Sequence, residues 1–214
     1  MRTFIIAMSV FILLTISVQG QDIQTMSKET QDVARQGLAT LMQLATEKNF
    51  KLLGFDSLEE VKSATLGEPL ADFIVPLDKL KAFQPGSDPA RLLVSSGQMV
   101  YPVMASGNVR SSVTVQKVEG RWAPVAYGGA TLAALVDKVR PRAEGRGQAG
   151  GDRVIVRIPA LNLYFLGHQD AGKLMLTPVV DEPRYELKAG EAVPAEKVFD
   201  AVLPDAKRHD GLPS

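Results

Sequence analysis

The 214-residue chain contains no cysteine and only two histidines, His168 and His209. No disulfide, thiol nucleophile, thiolate zinc site or iron–sulfur cluster can be built from it. Charge of one sign is also missing: 24 Lys and Arg balance 24 Asp and Glu. Global attraction to nucleic acid needs a basic balance or a basic face, so no nucleic-acid partner is expected. No Asn-x-Ser/Thr acceptor occurs, because Asn49, Asn108 and Asn162 lack the hydroxyl two residues on. Aromatic residues make up 6%, with 45% hydrophobic and 22% charged. That composition excludes collagen-like, disulfide-stapled and wholly disordered classes and describes an ordinary globular protein.

The chain has one long hydrophobic run, and it lies at the N-terminus. Arg2 precedes the apolar stretch from Phe4 to Val18, and Val18-Gln19-Gly20 supplies suitable residues at the −3 and −1 positions of a cleavage site. This is the pattern of a secretory signal peptide over residues 1–20. The alternative is an uncleaved membrane anchor, but a spanning helix wants about 20 apolar residues, more than this run offers. No Cys follows it, so lipoprotein anchoring is excluded. After cleavage no transmembrane segment is expected, and the mature chain has a formal charge of −1. A secreted domain without disulfides or glycosylation acceptors points to a bacterial protein, periplasmic or secreted.

The mature chain reads as α+β. Val33, Ala34, Gly37, Leu38, Leu41, Met42 and Ala45 form a stripe of period 3.6, predicting a long helix with Ser27 as N-cap. Gly37 sits on that stripe, where glycine costs helix stability, so close approach of another element is its expected use. Ser57-x-x-Glu60 has the form of a capping box. Residues 71–77 read as a strand followed by one helical turn.

Residues 91–128 are the clearest segment, an antiparallel meander with strands near 91–95, 98–105, 109–118 and 121–127. A two-residue turn at Glu119-Gly120 pairs Lys117 with Trp122, Val115 with Pro124 and Val113 with Ala126. A three-residue loop at Ser106-Gly107-Asn108 pairs Ala105 with Val109, Val103 with Ser111, Tyr101 with Val113 and Met99 with Val115. Both registers turn Val109, Val113 and Val115 inward, and they place Trp122 against the core. A helix follows to Arg140, and Pro141 stops it.

Residues 141–152 carry four glycines and almost no large apolar side chain, which marks a flexible linker or loop. Strands follow at 153–158, 161–167 and 173–180, with 168–172 as the turn of a hairpin. A short helix over 194–203 is bracketed by Pro194 and Pro204. The organisation expected is a signal peptide (1–20), helix plus meander (21–140), linker (141–152), a hairpin and short helix sharing one core with the meander (153–205), and a frayed tail (206–214). A long helix followed by an antiparallel meander is similar to the element order of cystatin-like and NTF2-like rolls, in which the helix lies in the curved sheet. The resemblance is one of element order; no family motif is matched and no functional residue is carried over.

Catalytic motifs are scarce. Gly167 to Lys173 matches the G-x-x-x-x-G-K half of a phosphate-binding loop. Leu174 stands where Ser or Thr should hold magnesium, and a strand follows where a helix is required, so a plain hairpin turn is the reading. His168 and His209 each have a carboxylate nearby, but no zinc-ligand spacing accompanies them; neither a metal nor a cofactor is expected. No G-x-S-x-G elbow surrounds Ser95, Ser96, Ser111 or Ser112. The one local charge bias is Lys138, Arg140, Arg142, Arg146, Arg153 and Arg157 against Glu144 and Asp152. Those six cations are the candidate contacts for an anionic lipid or polysaccharide surface; a solvated loop is the plainer reading. The expectation is a non-catalytic exported domain that binds a protein or small molecule. The alternative is a hydrolase or isomerase in the mouth of a curved sheet.

Overall fold

The computed structural model describes residues 17–128 and 153–211, together with Val136, Lys138 and Val139. The expected linker at 141–152 and most of the expected signal peptide lie outside the described residues. Helix α1 spans Ser17–Leu44, so it begins ten residues before the expected cap at Ser27. The Ser27 carbonyl accepts the Tyr101 hydroxyl at 3.1 Å. At the exit, Asn49 donates its side-chain N–H to the Leu44 carbonyl (2.8 Å) and accepts the Thr46 N–H (2.6 Å). A Cβ built on Gly37 would lie 2.6 Å from Val113 Cγ1 and 3.2 Å from Pro124 Cβ, which is the close approach expected of that glycine.

Helix α2, Leu58–Lys62, is capped by Ser57, whose Oγ accepts the Glu60 N–H. The Glu60 carboxylate reaches back to the Asp56 N–H at 2.9 Å, completing the box. Then come β1 (Thr65–Leu66), β2 (Leu70–Ile74) and α3 (Leu77–Lys81). The meander has three strands: β3 (Val94–Ala105), β4 (Asn108–Val118) and β5 (Arg121–Tyr127). After the crossing come β6 (Val154–Ile158), β7 (Leu163–Asp170), β8 (Lys173–Pro178), β9 (Val193–Pro194) and helix α4 (Ala195–Arg208).

Among the described residues these nine strands form one open, curved sheet in the order β5-β4-β3-β2-β6-β7-β8-β9, with β1 on β3. The fold is α+β, with a helix on a mostly antiparallel sheet. One pair departs from the expected antiparallel pattern: β2 and β6 are parallel, with Asp72 opposite Ile155. β6 does not add at the β5 edge but passes three strands to join β2 on the side away from β3.

Five expected pairs are present: Lys117 with Trp122, Val115 with Pro124, Val103 with Ser111, Tyr101 with Val113 and Met99 with Val115. Two expected pairs are corrected by β-bulges. Ser106-Gly107 is a two-residue turn with both φ positive, so Ala105 faces Asn108 and Met104 faces Val109. Arg110 is then the extra residue before Val103 meets Ser111. In β5 the extra residue is Val125, and Val113 faces Tyr127 rather than Ala126.

Trp122 shares the inner face but lies only half-buried at its rim. Its indole N–H donates to Glu29 of α1 at 3.0 Å, and Lys117 stands 5.2 Å from its ring. Pro204, expected to end the last helix, lies inside α4, which runs on to Arg208. Proline lacks one donor, and the rest of that turn is anchored through Asp205.

Buried side chains of α1 (Ala34, Leu41), the meander (Met99, Val103, Val113, Val115), β6–β8 (Val156, Phe165, Leu176) and α4 (Val198, Phe199, Val202) form one cluster on the inner face. A smaller cluster on the opposite face unites Leu70, Ile155, Leu166 and Val179 with Val136 and Val139.

Candidate functional site on the second sheet face

Side chains alternate across a strand, so the residues between the core positions share the second face. Cross-strand pairing aligns Gln116 of β4, Gln98 of β3 and Asp72 of β2 in one row. Gln98 Nε2 donates to Gln116 Oε1 at 3.1 Å. Asp72 is 2% exposed. Its carboxylate takes both prongs of the Arg157 guanidinium from β6, with Nε to Oδ1 at 2.8 Å. A bidentate fork of this kind is the strong geometry for an arginine–carboxylate pair, and a buried carboxylate demands one. Ser96 Oγ donates to the Asp72 carbonyl at 2.9 Å. Gln98, Thr114, Gln116 and Arg157 are each partly exposed, so the strip is polar and reachable, whereas Leu70, Ile155, Leu166 and Val179 on the same face pack with Val136 and Val139.

At the other end of the face, on β7 and β8, two buried polar atoms have no partner among the described residues: His168 Nδ1 and Thr177 Oγ1. His168 lies within β7, not in the turn, because Asp170 pairs with Lys173 across a two-residue turn at Ala171-Gly172. Burial pushes its pKa down, the Arg153 charge adds to this, and Asp170 opposes it. The G-x-x-x-x-G-K segment is therefore strand, tight turn and strand, as read.

Three of the six candidate cations lie within the described residues. Arg157 is held by Asp72, Arg153 is half-buried at the start of β6, and Lys138 is exposed. Arg140, Arg142 and Arg146 lie outside the described residues. His209 caps α4, and its Nδ1 accepts the Gly211 N–H at 2.9 Å. Ser111 and Ser112 are buried rather than facing water. Ser112 Oγ bonds the Gly128 carbonyl.

Three further polar clusters tie elements together. Asp205 of α4 receives Arg208, Arg184 and the Tyr185 hydroxyl (2.8 Å). The Arg208 hydrogen bond leads in holding its carboxyl below the usual range. Burial, with Asp205 beside it, pushes Tyr185 up to about 12. Arg110 joins Glu60 (2.8 Å) and Asp56 (2.6 Å), so its bulge aims it at the α2 cap. The hydrogen bond from the Asp56 N–H leads in lowering the Glu60 pKa. Tyr101 and Thr30 share a hydrogen bond of 2.8 Å beneath α1. Among the described residues no three His, Asp or Glu side chains are grouped to hold a metal ion, and no helix is long and apolar enough to cross a membrane.

Sequence reasoning did not single out Asp72. Its signal is a lone charge inside the apolar run Leu70-Ala71-Asp72-Phe73-Ile74. A carboxylate there must be paired. No family model, curated protein or solved structure matches the chain.

Proposed function

We propose that this chain is an exported, non-catalytic α+β domain of the bacterial envelope or extracellular space, and that it binds a protein or small-molecule partner through the polar strip on its second sheet face. Export rests on Arg2, the apolar run Phe4 to Val18 and the small residues ending at Gly20. Binding rests on one observation. Gln98, Thr114, Gln116 and Arg157 line a partly exposed polar strip across neighbouring strands, beside the apolar cluster of Leu70, Ile155 and Leu166 on the same face. Arg157 is neutralised by Asp72, and the other three are neutral hydrogen-bonding groups, so the strip favours an uncharged polar surface over an anion.

A hydrolase or isomerase would need two titratable side chains converging in an apolar pocket. The two buried carboxylates among the described residues, Asp72 and Asp205, are instead each clamped by arginine.

Two experiments test the reading separately. Residues 1–25 fused to a reporter should carry it out of the cytoplasm, with a mature N-terminus near Gln21; exported protein still beginning at Met1 overturns the cleavage. A photo-crosslinker at Gln116 should capture a specific partner from the envelope or medium, and one at Lys197 on α4 should not. Equal labelling from both positions, or capture unchanged by Gln98→Ala, overturns the assignment of the strip.

A further inference from the structure

We draw no further inference here: the strongest candidate, the pair of buried atoms His168 Nδ1 and Thr177 Oγ1 left without partners among the described residues on the second sheet face between β7 and β8, carries nothing because nothing in the structure shows what covers it.

Discussion

Gly37 illustrates how much one residue can fix. It lets α1 rest directly on Val113 and Pro124, and its place on the apolar stripe makes that contact legible from sequence. Gly37→Ala gains up to about 1 kcal/mol of helix propensity, but it forces a methyl into a contact of 2.6 Å. Overpacking typically costs about 1–3 kcal/mol, so the variant should unfold at lower denaturant than wild type; an unchanged or higher midpoint would show that α1 does not sit this close. Trp122 was not legible in the same way. Pairing predicts its face correctly, but the face ends at Trp122, and burial depends on where α1 runs out of cover. Tyr185 sets an alkaline limit. Below about pH 10 both folded and unfolded chains keep its proton. Above that the unfolded chain loses it, while the folded chain holds it to about 12, so stability should fall as pH rises through this window. Denaturation midpoints between pH 9.5 and about 12 should decline less steeply in Tyr185→Phe than in wild type; parallel declines would remove Tyr185 from the account.

At the scale of elements, the hairpins show both the reach of the sequence and its limit. Three tight turns share one form, a non-glycine residue followed by glycine with both φ positive: Ser106-Gly107, Glu119-Gly120 and Ala171-Gly172. Such turns suit the twist of paired strands, and the glycines mark them. The bulges at Arg110 and Val125 have no comparable mark, because an extra residue changes the register without changing the composition. They account for the two corrected pairs, including Val109 facing Met104 rather than Ala105. The same turn chemistry yields a test. Ala171 has φ +47°, where asparagine is better tolerated than alanine. Ala171→Asn should raise stability by a few tenths to about 1 kcal/mol; a loss measured by denaturant titration would mean that the β7–β8 turn has another geometry.

At the scale of the molecule, the decisive feature is the parallel seam between β2 and β6, which joins the meander to the C-terminal strands in one sheet. Hydrophobic pattern alone predicts that both blocks are strands, but it does not say which edge receives which strand. Only Asp72, a charge in an apolar strand, hints that a cation must arrive from elsewhere, and Arg157 is that cation. Its energetics are asymmetric. Arg157→Ala strands a carboxylate whose side chain is 3% exposed, whereas Asp72→Ala frees a guanidinium 30% exposed. Breaking a buried pair costs about 3–5 kcal/mol, so Arg157→Ala should approach that loss and Asp72→Ala should cost clearly less. Equal losses in thermal unfolding would contradict the burial of Asp72.

The seam itself is tested most directly by interstrand nuclear Overhauser effects on the isotope-labelled full chain. A parallel pattern is expected in which Ala71, Asp72 and Phe73 lie opposite Val154, Ile155 and Val156, together with contacts from β2 to Gln98 and Met99 on its other side. An antiparallel pattern between β2 and β6, or no contact between them, would contradict it.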